Sequence, residues 1–219
     1  MSWDHLAEAI KQIEVVANQE NEPVTVKRIP NQIECIGIGT DAAVFRSFDE
    51  PKLAFKVFTP EKLEKVEIEK KVYSKLGHSH YFPRFYGNGT NYLVISYEEG
   101  LTLYECLVRG IHIPEQAIQD VDDARNYAQS RGLNPRDIHL KNILLYKGRA
   151  KLLDVSEYLK QGNDYRWDYL RRGYQEYYNM IRGRAIPYWV MEVVRKRFNQ
   201  SQPSHFHYQD CVEKLSKLL

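Results

Sequence analysis

The chain has 219 residues, of which 43% are hydrophobic and 27% are charged, and its formal net charge is +2. This composition suits one sizeable globular unit or two small lobes and excludes disorder over most of the chain. The small net charge gives no reason to expect nucleic acid as a partner. The 3 cysteines include no Cys-x-x-Cys pair, so neither a disulfide framework nor a zinc site is predicted.

The N-terminal sequence indicates where the protein resides. No apolar run approaches the ~20 residues that cross a bilayer. Acidic Asp4 and Glu8 stand where a secretory signal would be basic and then apolar. We therefore expect a cytoplasmic protein that does not bind membranes.

The first third of the chain contains one predicted helix and several predicted strands. Residues 3–18 place apolar side chains at three- and four-residue steps, which predicts an amphipathic helix. The β-branched residues of stretches 24–26 and 33–38 predict strands. Further strands are predicted at 44–47 and 53–58.

A Gly-x-Gly turn connects two of these strands. Gly37 and Gly39 close one strand, and the next begins at Val44. Because glycine lets the backbone lie close to a phosphate, such a turn can cover a nucleotide. A dinucleotide-binding turn is not indicated, since no helix follows the glycines.

A lysine and a glutamate stand in otherwise apolar surroundings after this turn. Lys56 lies within the apolar strand 53–58, where burial would be costly without an anionic partner. A helix is predicted from Pro60 to about Leu76. Glu69 lies on the apolar face of that helix, so it is the preferred partner of Lys56, and Glu64 and Glu67 are the alternatives.

The remaining elements are mostly predicted helices. Strands are predicted at 82–87 and 92–97, around the turn Asn88-Gly89. Helices are predicted at 102–109, 114–131, 165–181, 187–198 and 208–219.

Three oxygen-bearing side chains flank a predicted hairpin between the helices. Strands 143–145 and 151–153 are joined by a Lys147-Gly148 turn, so Asp137, Asn142 and Asp154 can converge at its ends. Asn142 and Asp154 offer the hard oxygen ligands that Mg²⁺ prefers, and Asp137 can accept a hydroxyl proton. This arrangement suits phosphoryl transfer.

These residues carry a resemblance to a known family. The run Arg136-Asp137-Ile138-His139-Leu140-Lys141-Asn142 resembles the catalytic loop of the protein-kinase superfamily, and Leu152-Leu153-Asp154-Val155-Ser156 resembles its Asp-Phe-Gly segment. Ala54-Phe55-Lys56 is similar to the kinase Ala-x-Lys. The resemblance implies an α+β, two-lobe protein-kinase-like fold, with an extra N-terminal helix at 1–22, an antiparallel-sheet N-lobe at 23–98 and a shortened, mostly helical C-lobe at 99–219.

The resemblance also implies ATP bound between the lobes with Mg²⁺. Lys56, held by Glu69, is implied to grip the phosphates, and Asn142 and Asp154 to hold the metal. Asp137 is implied to act as the base, and His139 to stand near the γ-phosphate as a donor. The other residues implied to contact the nucleotide are Gly37, Gly39, Val44, Ala54, Ile95, Ser96 and Glu98.

Several departures from the family pattern leave the function open. Pro135 stands where the family has a histidine before the catalytic Arg-Asp, and His139 stands where it has a lysine. Val155-Ser156 stands in place of the family's Phe-Gly, and no Ala-Pro-Glu follows. The chain resembles compact atypical kinases such as the RIO type and small bacterial serine/threonine kinase-like proteins, which makes a compact serine/threonine kinase the first interpretation. A small-molecule kinase of the aminoglycoside and choline kinase kind is the first alternative. A pseudokinase acting as a nucleotide-binding interaction module is the second, although Lys56 and Asp137 are retained.

The segment after Asp154 predicts how the protein is regulated and what it recognises. It is too short to fold back and dock a phosphate, so we expect no regulation by a phosphorylated activation loop. Arg136 is expected to bind a fixed carboxylate or carbonyl instead. A protein or anionic substrate bearing a hydroxyl is expected, because clustered arginines favour anions. This basic set comprises Arg166, Arg171, Arg172, Arg182 and Arg184. Asp168 resembles the aspartate of the superfamily's central C-lobe helix.

Overall fold

The computed structural model describes residues 3–19 and 22–200, which form two compact units. The first contains the described residues up to Glu98, together with Arg131–Leu133. The second contains Glu99–Ser130 and the described residues from Asn134 onward. The fold is a mixed α+β fold, as the sequence predicts.

The first unit is built on an antiparallel five-stranded sheet in the order β3-β4-β5-β7-β6. A separate pair, β1 and β2, precedes the sheet in the chain, and helix α2 follows β5. The bounds are β1 Glu14–Val16, β2 Thr25–Arg28, β3 Ile33–Ile38, β4 Ala42–Ser47, β5 Leu53–Phe58, β6 Phe85–Asn88, β7 Tyr92–Ser96, α1 Ala7–Lys11 and α2 Glu64–Leu76.

The predicted N-terminal helix is too long. Helical structure covers Asp4–Leu6, as a 3-10 turn, and α1, whereas Glu14–Val16 is a strand that pairs antiparallel with Thr25–Arg28. Val15 is buried in that pair, opposite Val26, and both residues are β-branched, as strand residues often are. Pairing with a distant segment therefore decides the conformation.

The core of the first unit joins the N-terminal segment to one face of the sheet. Ile10 and Phe45 are fully buried in one apolar cluster with Phe55 and Val57. Trp3 packs at the edge of this cluster, with its ring edge-on to Tyr92. This packing fixes β5, the strand that carries Lys56.

Within the described residues, the second unit contains a three-stranded antiparallel sheet in the order β10-β9-β8 and four helices. Lys147 and Gly148 have φ angles of 49° and 79°, which the tight turn between β9 and β10 requires. The bounds are β8 Leu101–Thr102, β9 Ile143–Tyr146, β10 Arg149–Leu152, α3 Leu103–Arg109, α4 Glu115–Ser130, α5 Arg166–Ile181 and α6 Tyr188–Gln200.

Local signals predict the described helices from α2 onward well. Gly77, at φ 63°, ends α2, and a capping box between Thr102 and Glu105 begins α3. The predicted helix at 208–219 lies outside the described residues. Within the described residues, no helix is long and apolar enough to span a membrane.

Candidate active site

Lys56 and Glu69 form a buried ion pair in the first unit. Lys56 Nζ lies 2.6 Å from Glu69 Oε1, and the two side chains are 13% and 1% exposed. Strand β5 directs the lysine to this position, and the apolar stripe of α2 carries the glutamate into the interior. The ion pair meets the cost of burying an ammonium group in an apolar strand.

The glycine turn is short and held at several points. The Gly39 N–H donates to the Ala42 carbonyl at 2.9 Å, and the Asp41 carbonyl accepts from the Thr59 N–H at 3.1 Å. A Cβ on Gly39 would lie 3.2 Å from the Ala42 carbonyl oxygen, whereas one on Gly37 would make only ordinary contacts. The close Ala42 carbonyl therefore explains why residue 39 is a glycine, whereas position 37 has room for a side chain.

A carboxylate on this turn is neutralised by two lysines. The Asp41 side chain lies 3.2 Å from Lys62 Nζ and 3.6 Å from Lys65 Nζ. The lysines stand at the beginning of the helical segment that carries Glu69. Asp41 therefore ties the glycine turn to that segment.

The other predicted nucleotide-contacting residues of the first unit lie on neighbouring strands. Val44 pairs with Lys56 between β4 and β5, and Ala54 pairs with Ile95 between β5 and β7. Both the hydroxyl and the N–H of Ser96 are engaged within the unit. The hydroxyl donates to Glu98 and accepts from the Arg84 N–H, and the Ser96 N–H donates to the Arg84 carbonyl.

Asp137 is held at three points in the second unit. Its N–H donates to Asp164 Oδ2 at 2.6 Å, and its carbonyl accepts from Asn142 Nδ2 at 3.0 Å. Its Oδ1 lies 2.8 Å from Arg166 Nη1. The φ angle of Asp137 is 56°, a left-handed conformation that aspartate tolerates better than most residues. The loop is therefore built around this one carboxylate.

Burial makes Asp137 a weaker acid than an ordinary aspartate. It raises the pKa of Asp137 to about 6, while the Arg166 guanidinium acts in the opposite direction. Three neighbouring carboxylates add to the rise, and they belong to Asp154, Asp164 and Glu157. A carboxylate with a pKa in this range is well matched to accepting a proton near neutral pH.

Asn142 and Asp154 stand at the base of the β9–β10 hairpin. The Asn142 carbonyl accepts from the Leu153 N–H at 2.9 Å, which brings the two ends together. Because Asn142 Nδ2 donates to Asp137, its amide oxygen is left for a cation. Asp154 Oδ1 accepts from the Ser156 N–H at 2.9 Å. An amide oxygen and a carboxylate are suitable ligands for Mg²⁺, which also binds phosphate oxygens and water.

His139 is uncharged at neutral pH. Burial lowers the pKa of His139 to about 4, and the Arg166 guanidinium acts in the same direction. Its Nδ1 accepts from the Lys141 N–H at 3.3 Å, so its proton is on Nε2. A neutral imidazole can donate that proton in a hydrogen bond, but it brings no positive charge to the loop.

Arg136 binds a backbone carbonyl, as predicted. Its guanidinium donates to the Gln161 carbonyl. The neighbouring Asn134 donates to the carbonyls of Lys160 and Gly162, each at 2.7 Å. Neutral backbone groups of the segment after Asp154 therefore hold this part of the loop.

The predicted likeness of Asp168 to the aspartate of the superfamily's central C-lobe helix is wrong. Asp168 is exposed and bonds to Arg125 and Asn163, and Asp164 is the aspartate that contacts the loop. Sequence reasoning missed Asp164 and the role of Arg166. The only signal was an Asn-Asp pair before a helix, which normally indicates an N-terminal cap and nothing more.

Several of the predicted anion-binding arginines already have partners. Arg171 Nε lies 3.0 Å from Asp122 Oδ2, and Arg172 Nε lies 2.6 Å from Glu176 Oε1. Arg182 lies 3.4 Å from the His112 ring. Three members of the basic set are thus engaged within the chain, and the role of the set in binding anions stays a prediction.

Comparison with known proteins identifies a bacterial relative. The chain is 34% identical over 172 residues to the Bacillus subtilis (strain 168) protein named "Putative serine/threonine-protein kinase YrzF", which covers 77% of this chain and 80% of that protein. No protein-family model matches the chain. The solved structure "Crystal structure of Rad53 kinase domain and SCD2" is similar at a TM-score of 0.45 and 21% identity, over 57% of this chain and 50% of that one.

The relative matches most of both chains, at an identity high enough to define kinship. This relationship agrees with the run from Arg136 to Asn142, which resembles a kinase catalytic loop. It also agrees with the antiparallel sheet of the first unit and the mostly helical second unit. The chain therefore belongs to the protein-kinase-like superfamily and has its two-lobe α+β fold.

Proposed function

We propose that this protein is an ATP-dependent serine/threonine kinase that uses Mg²⁺ and transfers the γ-phosphate of ATP to a hydroxyl of a protein acceptor. The observation that carries the proposal is the Lys56–Glu69 ion pair, with its glutamate 1% exposed. A lysine fixed in this way, on a strand next to a glycine turn, is suited to holding phosphates. The name of the Bacillus subtilis relative supports the same activity.

The chain's own residues divide the work of the reaction. Lys56 neutralises phosphate charge, and the turn from Gly37 to Gly39 covers the nucleotide. Asn142 and Asp154 hold Mg²⁺, which when bound neutralises the charge of the phosphates. Asp137 orients the acceptor hydroxyl and takes its proton.

The reaction forms one bond and breaks one. The acceptor oxygen forms a bond to the γ-phosphorus as the bond between that phosphorus and the bridging oxygen of ATP breaks, and ADP leaves with the electron pair. The hydroxyl proton passes to the Asp137 carboxylate and then to solvent. The pKa of about 6 lets Asp137 start ionised at neutral pH and still hold the proton briefly.

Asp137→Asn tests this assignment. We expect turnover to fall by about 10²-fold or more, with ATP affinity nearly unchanged, because the variant loses the base and keeps the side-chain volume. Equal turnover of Asp137→Asn and the parent protein would rule out the mechanism.

Labelled ATP tests the class of acceptor. The protein is incubated with γ-labelled ATP, Mg²⁺ and a cell extract, and labelled proteins are separated from labelled metabolites. Label in proteins supports the proposal, and label in a metabolite would instead show a small-molecule kinase. Binding of ATP without any loss of γ-phosphate would show a nucleotide-binding module.

A further inference from the structure

Arg166 is the first residue of α5, and its side chain reaches back to the loop that carries Asp137. Its Nη1 lies 2.8 Å from Asp137 Oδ1, and its Nε lies 4.0 Å from Asp164 Oδ2. Asp164 in turn accepts the Asp137 N–H at 2.6 Å. The turn before α5 therefore holds both the backbone and the side chain of Asp137.

The two carboxylate oxygens of Asp137 have different surroundings. Oδ1 is bound by Arg166, and among the described residues no other side chain donates to this carboxylate. The Asp137 side chain is 33% exposed, which leaves part of it open to an incoming hydroxyl. An ion pair through one oxygen limits rotation of the carboxylate and fixes the direction of the other.

We propose that Arg166 is a positioning residue for phosphoryl transfer, which fixes Oδ1 of Asp137 so that Oδ2 receives the hydroxyl proton of the acceptor. The inference rests on the proposed function. It also places a guanidinium directly beside Asp137, where the half-buried His139 is neutral.

A purely structural role for Arg166 is less well supported. The first N–H of α5 is already satisfied, since Asp164 Oδ1 accepts the Arg166 N–H at 3.2 Å. An ion pair between side chains that are each about one-third exposed contributes little to stability. Stability alone therefore gives weak reason for a guanidinium at this position.

The test compares Arg166→Met and Arg166→Lys with the parent protein. The control is Arg195→Met, which removes the same charge from an exposed ion pair with Glu192 on α6. The measurements are the Mg²⁺-dependent loss of γ-phosphate from ATP, to water or to the protein itself, the KM for ATP and the thermal unfolding midpoint. Each variant is also assayed with millimolar guanidinium added.

We expect Arg166→Met to lower kcat by about 10²-fold with a KM for ATP close to that of the parent, since a misplaced base costs rate and not nucleotide binding. Arg166→Lys should recover part of the loss, and added guanidinium should partly restore Arg166→Met. Arg195→Met should resemble the parent in every measurement.

Two results would overturn the inference while the proposed function stands. One is a kcat for Arg166→Met equal to that of the parent. The other is a loss that follows the unfolding midpoint and is not relieved by guanidinium, which would show a structural role. A parent protein that never releases γ-phosphate would refute the proposed function, and the role of Arg166 with it.

Discussion

A lysine inside an apolar strand is stable only with a counter-charge, and Lys56 has one in Glu69. Such a pair contributes little net stability, because the attraction mainly offsets the cost of removing both charges from water. Removing one partner leaves an uncompensated buried charge and destabilises by about 3–5 kcal/mol. The pair is therefore better explained by what the lysine can bind than by what it adds to stability.

This difference permits a test that separates binding from folding. Lys56→Met should lower both the unfolding midpoint and the affinity for ATP, because the buried Glu69 carboxylate loses the ammonium group that balances its charge. Lys56→Met combined with Glu69→Met should recover much of the midpoint, since two apolar side chains replace the pair. ATP affinity, measured by calorimetry, should stay low in the double variant. Recovery of ATP affinity together with the midpoint would show that Lys56 does not bind the phosphates.

Among the elements, the glycine turn and the start of the α2 segment are coupled through Asp41. Asp41→Asn removes the attraction to Lys62 and Lys65 and keeps the side-chain volume. We expect a higher KM for ATP with an unfolding midpoint close to that of the parent, since partly exposed pairs contribute about 0–1 kcal/mol. The control is Glu67→Gln, which removes an exposed pair with Lys70 on α2. An equal KM in Asp41→Asn and the parent would show that the turn needs no such tie.

Helix α4 and strand β10 are joined by the buried carboxylate of Asp120. Arg149 donates to its two oxygens through Nε and Nη2, each at 2.8 Å, and the Ala150 N–H donates at the same distance. Burial alone would raise the pKa of Asp120, but these bonds, with one from Gln116, outweigh burial and the pKa is lowered. The ionised form is therefore the one that stabilises the fold.

The sign of this shift predicts an effect of acid on stability. The contribution of Asp120 is fully present above its unfolded-state pKa of about 3.9 and is lost as the pH falls through its lower folded-state value. Asp120→Asn should therefore destabilise by about 1–3 kcal/mol at pH ~7, and the deficit should shrink at pH ~3. Urea unfolding of both proteins at each pH measures this. A deficit of the same size at both values would contradict the linkage.

The elements also show what could be predicted from sequence. The β9–β10 hairpin, the end of α2 at Gly77 and the start of α3 depend on turn and cap chemistry within a few residues, so their sequences suffice. Glu14–Val16 became a strand because it pairs with a separate segment, Thr25–Arg28. Asp164 and Asp168 lie at the start of the same helix, and only tertiary packing decides that Asp164 reaches Asp137.

At the scale of the whole molecule, the question is whether the protein must be modified before it can act. In the segment after Asp154, hydrogen bonds to backbone carbonyls occupy Arg136 and Asn134. Tyr158 is 1% exposed and burial raises its pKa, so its hydroxyl is inaccessible to a kinase. Ser156 and Tyr165 are the accessible hydroxyls between Asp154 and Trp167.

We therefore predict that turnover does not depend on phosphorylation of this segment. The guanidinium that would receive a phosphate in a longer segment, that of Arg136, already binds the Gln161 carbonyl. Protein treated with phosphatase should keep the turnover of untreated protein, and Ser156→Ala combined with Tyr165→Phe should behave in the same way. The measurement is Mg²⁺-dependent loss of γ-phosphate, with Asp137→Asn as the inactive reference. If phosphatase abolished turnover and the double substitution reproduced that loss, a phosphate on Ser156 or Tyr165 would have to replace the Gln161 carbonyl as the partner of Arg136.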